Sequence, residues 1–215
     1  MTYQQWKYYL GISVGWVALI IIVHYTLDFS VTQYVHTTFD PRSKFISLVH
    51  WVANFGLGWP YIIGLGVLFC VARFLWHDRK LTLRSLYLFL CVAISGIICD
   101  LLKLVFGRPR PSLWFDHGLS HFVFLGHRQF HESAYTSFPS GHATTAASFA
   151  VGLILLFPRL RVIGVIFMLT IAMARVLLLR HYVADVMAGM YLGAMTSWVL
   201  YRFMQEGYPA GVLVV

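Results

Sequence analysis

Two residues near the end of the sequence, His181 and Asp185, have the types and the spacing of a catalytic pair. A spacing of four residues on a helix makes the two side chains neighbours. The carboxylate can then accept a hydrogen bond from one ring nitrogen of His181, which leaves the other nitrogen with a free lone pair. That nitrogen could act as a nucleophile. Alone, this spacing is more often an ordinary polar contact, so the interpretation depends on the neighbouring motifs.

Those motifs supply positive charge. Lys103, Arg110 and Arg175 each lie at or near the end of an apolar segment, and Ser140 and Gly141 stand where another apolar segment begins. The first backbone N–H groups of a helix, together with its dipole, bind anions. Three cations and one helix start would stabilise the charge that a phosphoryl group develops in a transition state.

The composition predicts that lipid surrounds these residues. Of 215 residues, 59% are apolar and 11% are charged, whereas a soluble domain carries about 25% charged residues. The net charge of +8 comes from basic residues at the ends of apolar segments, which indicates membrane topology rather than nucleic-acid binding. The three cysteines lie within apolar runs, so a disulfide framework is not expected.

Six apolar stretches are long enough to cross about 30 Å of hydrocarbon. We expect one all-α, membrane-embedded domain over residues 1–215, built as a six-helix bundle. The predicted spans are Leu10–Leu27, Gly56–Phe74, Ser85–Phe106, Ser140–Phe157, Val162–Leu179 and Tyr182–Phe203.

Basic connections predict the orientation of this bundle. Arg79, Lys80 and Arg84 lie in one connection, and Arg159 and Arg161 lie in another. The positive-inside rule places both connections, and with them both termini, in the cytoplasm. The connections 28–55 and 107–139 and the short turn near residue 180 then face the opposite side, where the alternating spans also deliver every candidate site residue.

The pattern of polar and apolar residues in 43–55 predicts an additional short helix. Ser43, Ser47, His50 and Asn54 recur at helical spacing, and apolar residues occupy most of the other face. This pattern is typical of a helix that lies in the membrane interface. The alternative is that these residues begin the second span.

Three sequence blocks resemble the signature of the type-2 phosphatidic acid phosphatase (PAP2) superfamily, which reads K-x6-R-P, P-S-G-H and S-R-x5-H-x3-D. The blocks cover residues 103–185 and fit ten of the eleven signature positions. The exception is Ala174, where the family has Ser. In this sequence the matching positions are Lys103, Arg110–Pro111, Pro139–His142, Arg175, His181 and Asp185.

The resemblance implies a role for each matching residue. His181 would attack phosphorus, Asp185 would orient it, and His142 would protonate the leaving oxygen. Lys103, Arg110, Arg175 and the Ser140–Gly141 backbone would hold the phosphate, and Ala174 would leave this cradle one hydroxyl contact short. No metal and no cofactor would be needed.

The implied activity is hydrolysis of a membrane lipid phosphate or diphosphate at the outer face of a bacterial-type inner membrane. Candidate substrates are undecaprenyl diphosphate, phosphatidic acid, phosphatidylglycerol phosphate and the phosphates of lipid A. Two alternatives stay open: a phosphotransferase with the same phosphohistidine, and a non-catalytic carrier or scaffold. We expect residues 113–138 and 28–55 to determine specificity, and we make no prediction of oligomeric state.

Several polar residues lie outside the signature. Asp100 is three residues before Lys103 and could position its ammonium group, could face a polar cavity, or could stay protonated. Arg108 could support the site from behind or contact a lipid headgroup. Gly189 and Gly193 predict close helix packing, within one chain or between two. The loop histidines could line the entrance, be solvated, or bind zinc; they are His117, His121, His127 and His131.

Overall fold

A computed structural model describes residues 3–120, 122–124 and 133–207, and all regular structure within these ranges is helical. The predicted all-α membrane fold is therefore confirmed. The main helices are α1 (Tyr3–Thr26), α2 (Asp28–Thr38), α3 (Lys44–Ala53), α4 (Gly58–Cys70), α5 (Arg79–Phe106), α6 (Pro111–His117), α7 (Gly141–Leu156), α8 (Arg161–Leu177) and α9 (Val183–Gly207).

Five helical segments of the described residues are long and apolar enough to cross a membrane, so the predicted number of six full-length spans is not confirmed. The remaining predicted span corresponds to α7, which has 16 residues. At about 1.5 Å per residue this helix is shorter than the roughly 30 Å of bilayer hydrocarbon. The five long segments are Tyr9–Thr26, Gly58–Leu75, Arg79–His117, Pro158–Leu177 and Val183–Gly207.

Helix α7 packs against α9 with the two backbones in near contact. A Cβ atom on Gly189 would lie 2.5 Å from the carbonyl oxygen of Ser140, and one on Gly193 would collide with the carbonyl oxygen of Thr144. Deeper in the bundle, the Ser197 hydroxyl donates to the Ser148 carbonyl at 2.8 Å. The glycine pair therefore serves packing within one chain, which decides between the two alternatives for Gly189 and Gly193.

Helix α5 ends in a turn that directs the following residues towards the core. Gly107 has a φ of 51° and donates its N–H to the carbonyl of Lys103 at 2.9 Å. A left-handed glycine is a common end to a helix because it has no Cβ to clash. After this turn come Arg108 and Arg110, and Pro111 occupies the first turn of α6. The predicted end of the third span at Phe106 is correct.

The segment 28–55, predicted as a connection, is mostly helical. Helix α2 continues α1 almost without a break, since Val31 donates its N–H to the Leu27 carbonyl at 2.9 Å. Helix α3 begins at an N-cap in which Ser43 accepts from the N–H of Ile46 at 3.2 Å. A 3-10 turn, Asn54–Gly56, separates α3 from α4, so the residues are not the start of the second span.

We predict that Gly193→Ala destabilises the bundle, because its new methyl group would collide with the α7 backbone. Overpacking of this kind costs about 1–3 kcal/mol. Thermal unfolding of the purified protein in detergent measures the loss.

The matched control is Gly64→Ala on α4, where nothing lies within 4 Å of the added atom. This variant should unfold at the wild-type temperature or slightly above it, because alanine favours a helix over glycine. Equal unfolding temperatures for Gly193→Ala and the wild type would contradict the packing argument.

Candidate active site

The ends of several helices meet at one side of the bundle. They are the last turn of α5 with Lys103, the start of α7 with His142, the end of α8 with Arg175, and the turn before α9 with His181. The Lys103 ammonium nitrogen lies 3.1 Å from the position that a Cβ on Gly141 would take. His142 interacts electrostatically with Lys103, Arg175 and His181. The predicted site residues therefore lie together.

His181 lies in the turn before α9, not on the helix as we expected, because α9 begins at Val183. Its Nδ1 is 2.7 Å from the carbonyl oxygen of Ser137, whereas the Asp185 carboxylate is 3.8 Å away and too far for a hydrogen bond. A carbonyl only accepts, so Nδ1 must carry the ring proton. The lone pair is then on Nε2, as a nucleophile requires, but a backbone carbonyl rather than Asp185 fixes the tautomer.

Asp185 supports this turn by accepting several hydrogen bonds. It accepts from the Ser137 hydroxyl at 2.6 Å and from the N–H of Tyr182 at 2.9 Å. The second bond caps α9, since the carboxylate in the first turn reaches back to the residue that precedes the helix. Asp185 therefore positions both Ser137, which holds His181, and the backbone beside His181.

The protonation of His181 follows from its surroundings. Only 3% of the residue is exposed, and burial lowers its pKa below the ordinary histidine value. The negative charge of Asp185 opposes this shift, whereas Arg175 and Arg110 add to it. A lowered pKa keeps the ring neutral, and thus nucleophilic, at neutral pH.

Arg108 is completely buried, which excludes the predicted contact with a lipid headgroup and leaves the supporting role. Its guanidinium group donates to Asp185 on one side and to Asp28 on the other, the latter at 2.7 Å. Two aromatic rings cover it, with Tyr182 at 4.1 Å and Phe122 at 5.1 Å from the guanidinium carbon. Arg108 thus joins the end of α1 and the start of α2 to α9.

Our sequence interpretation missed Asp28, His24 and Ser137. Asp28 is an acid at the end of an apolar segment, four residues after His24, and such an intramembrane acid is a recognisable signal. Ser137 contributes a backbone carbonyl, for which no side-chain pattern exists.

The phosphate-binding candidates carry polar atoms without partners. Within the described residues, the Ser140 hydroxyl and the Nε atoms of Arg110 and Arg175 are buried and make no hydrogen bond. An unpaired buried donor costs about 1–3 kcal/mol, and a charged one costs more. The Ser140 N–H donates to the carbonyl of Asp185 at 3.0 Å, so this amide of the predicted Ser140–Gly141 pair is already engaged. An anion would satisfy the remaining donors.

Asp100 contacts Lys103, with 2.8 Å between carboxylate oxygen and ammonium nitrogen. It also lines a cavity of about 360 Å³ between α4, α5 and α7. The cavity reaches His142, and Trp59 and Ile97 contribute apolar surface to its wall. Asp100 thus contacts Lys103, as one alternative expected, and also faces a cavity, but the wall of this cavity is largely apolar rather than polar.

Ala174, where the signature has Ser, is buried against Val49 and Ala53 of α3. In this chain the position makes an apolar contact between α8 and α3. The resemblance implied that a Ser hydroxyl at this position would contact phosphate; in this chain the methyl group of Ala174 packs against α3 instead.

The loop histidines fall mostly outside the described residues. His121, His127 and His131 lie there, and His117 is exposed at the end of α6. Within residues 3–120, 122–124 and 133–207, no three His, Cys, Asp or Glu side chains form a group that could hold a metal ion.

Two curated relatives are similar to part of this chain. The lipid A 1-phosphatase of Rhizobium johnstonii is 39% identical over 134 residues, which cover 57% of this chain and 53% of the relative. The lipid A 1-phosphatase of Rhizobium etli is 37% identical over 134 residues, covering 57% of this chain and 56% of the relative. The chain thus matches about half the length of these relatives.

Two solved structures share the fold over most of their length. The PAP2-type phosphatidylglycerolphosphate phosphatase of Bacillus subtilis superposes with a TM-score of 0.61 at 19% identity, covering 94% of this chain and 98% of that one. Aquifex aeolicus LpxE superposes with a TM-score of 0.60 at 18% identity, covering 82% and 96%.

The family model described as the PAP2 superfamily matches residues 84–208, more than half of the chain, and includes every signature position. The resemblance in the sequence blocks is thereby confirmed, and this chain belongs to the PAP2 superfamily.

Proposed function

We propose that this protein is a membrane lipid phosphatase that works without a metal and forms a phosphohistidine at His181. One observation carries the proposal: unpaired buried donors of Ser140, Arg110 and Arg175 lie at a site that also holds His181, a buried histidine whose Nδ1 is held by a backbone carbonyl. Such a set of donors fits an anion, and the histidine fits a nucleophile.

In the first step, the Nε2 lone pair of His181 attacks phosphorus and the bond from phosphorus to the leaving lipid oxygen breaks. His142 gives a proton to that oxygen, so the lipid leaves as an alcohol. Lys103, Arg110 and Arg175 stabilise the phosphoryl oxygens. The ring of His181 keeps its Nδ1 proton because the Ser137 carbonyl holds it.

In the second step, His142 takes a proton from a water molecule, which attacks the phosphohistidine. The bond between phosphorus and Nε2 breaks, and inorganic phosphate leaves. The histidine pair returns to its starting protonation, so the cycle consumes one water molecule for each phosphate released.

For the substrate we propose the 1-phosphate of lipid A, which the names of the two Rhizobium relatives specify. The apolar-walled cavity next to His142 fits the lipid side of the leaving group. Phosphatidic acid, phosphatidylglycerol phosphate and undecaprenyl diphosphate are the competing substrates that an assay must include.

We also propose that the protein lies in a bacterial inner membrane with both termini in the cytoplasm and the site at the periplasmic face. Arg79, Lys80 and Arg84 at the start of α5 support this orientation, as do Arg159 and Arg161 between α7 and α8. Both groups lie at the end of the bundle opposite to His181, and basic residues favour the cytoplasmic side.

The purified protein should release free phosphate from lipid A faster than from the three competing lipids. We expect His181→Ala to lower kcat by about three orders of magnitude or more, because a nucleophile and its partners act as a unit. Phosphate release in detergent micelles measures both results.

The matched control is His77→Asn, which changes an exposed histidine between α4 and α5, outside both segments expected to determine specificity, and should retain wild-type activity. Normal release by His181→Ala would overturn the mechanism. Faster phosphate release from another lipid would overturn only the proposed substrate. Transfer of the phosphate to an acceptor hydroxyl would indicate a phosphotransferase. No turnover of any lipid by the wild type would favour a carrier.

The pH profile should reflect the lowered pKa of His181. Protonation of its ring removes the nucleophile, so kcat/KM should fall on the acid side. The pKa of His181 in the folded protein is below the ordinary histidine value of about 6.5. The midpoint of the acid-side fall in kcat/KM should therefore lie below about pH 6.5. Unfolding temperatures at each pH separate inactivation from loss of fold. An acid-side fall with its midpoint above about pH 6.5 in folded protein would contradict the assignment.

Asp100→Asn should lower kcat/KM several-fold, because the amide holds the Lys103 ammonium less firmly than the carboxylate does. The effect should stay below about tenfold, because the Asp100 side chain is 76% exposed and exposed ion pairs contribute little. Glu206→Gln, an exposed carboxylate at the far end of α9, is the control. Unchanged kinetics in Asp100→Asn would disprove a positioning role.

A further inference from the structure

A buried ion cluster outside the family signature lies behind His181. It consists of Arg108 and the two carboxylates that flank it, Asp28 and Asp185, and all three side chains are completely buried. The Nδ1 atom of His24 lies 2.9 Å from both Asp28 and Arg108. Asp28 is contributed by the start of α2, far from the signature blocks in sequence.

The charges of this cluster do not cancel. Arg108 carries one positive charge and the two carboxylates carry two negative charges, so the cluster has a net charge of −1 with His24 counted as neutral. Without Asp28, Arg108 would neutralise Asp185 completely. In a low-dielectric interior such a change in net charge acts strongly on nearby groups.

His181 is the nearby group that changes its charge. Its Nδ1 proton is held by the Ser137 carbonyl, so formation of a bond between Nε2 and phosphorus gives the ring a positive charge. Asp185, 3.8 Å away, attracts that charge. Arg175 and Arg110, which also act on His181, repel it.

We propose that Asp28 is a positioning residue of the reaction: it balances Arg108, so that Asp185 keeps a net negative charge facing the cationic His181 intermediate. The inference rests on the proposed nucleophilic role of His181. It assigns a function to a residue at the α1–α2 junction that no signature block contains.

A purely structural role for Asp28 makes a different prediction. Asp28 also accepts a hydrogen bond from the N–H of Ala184 at 2.8 Å, which ties α2 to the first turn of α9. If this tie were the only role of Asp28, a variant that lacks both the Asp28 charge and Arg108 would be more impaired than one that lacks the Asp28 charge alone. If charge balance matters, the same second change restores the net charge of −1 and repairs the defect.

The test compares vanadate with inorganic phosphate by isothermal titration calorimetry of the full chain in detergent. Vanadate forms a covalent bond with a nucleophilic ring nitrogen and imitates the charged intermediate, whereas phosphate binds without a covalent bond. For Asp28→Asn we expect vanadate affinity to fall about tenfold or more, the equivalent of one pKa unit. Phosphate affinity should change less than about twofold, because Asp28 does not contact the anion site.

The double variant Asp28→Asn/Arg108→Gln should regain most of the lost vanadate affinity, and Asp28→Glu should keep it. Thr32→Val, equally buried one turn further along α2, is the matched control and should bind both anions as the wild type does. Unfolding temperatures of every variant are measured in the same detergent.

Three outcomes would overturn the inference: equal losses for vanadate and phosphate in Asp28→Asn, a double variant weaker than the single variant, or wild-type vanadate affinity in folded Asp28→Asn. If Asp28→Asn does not fold, Asp28→Glu provides the test instead. This variant keeps the negative charge, so loss of vanadate affinity in folded Asp28→Glu would overturn the charge argument. Failure of the wild type to bind either anion, or wild-type vanadate affinity in His181→Ala, would instead contradict the proposed function.

Discussion

The close contact between α7 and α9 is the constraint on which the site depends. Helices within a membrane gain no hydrophobic free energy from association, so small residues that allow backbone contact are the main source of packing. Gly189 and Gly193 provide this contact. At its upper end, the Ser140 N–H reaches the carbonyl of Asp185. The two helix starts that carry most of the site are therefore fixed to each other through backbone atoms.

Charge inside the bundle is held by partners that come from distant parts of the chain. Arg108 could not be buried without a carboxylate partner, because an unpaired buried charge is very costly. Asp185 meets this need and caps α9 as well, while Asp28 secures the junction of α1 and α2. Support of His181 and stability of the fold thus rest on the same ion pairs.

Apolar runs and local motifs made much of this architecture predictable. The span that ends at Phe106 was predicted correctly because Gly107 terminates α5 through local geometry. The blocks around Lys103, His142 and His181 predicted that these residues meet at one side of the bundle, because alternating spans must bring their ends together. Three-dimensional partners were not predictable: Asp28 bonds to Ala184 across 156 positions of sequence, and Ser137 acts through its backbone.

The shortness of α7 bears on where the proposed anion would bind. Helices α5, α8 and α9 surround α7, so the 16-residue helix is shielded from lipid and need not match the bilayer thickness. Its 16 residues fall short of a full span by roughly one helical turn. In the proposed function, the phosphate binds at the start of this short helix, where the helix dipole favours an anion. A lipid headgroup that reached this position would give up part of the water around its phosphate, so the short helix would favour lipids that lose this water readily.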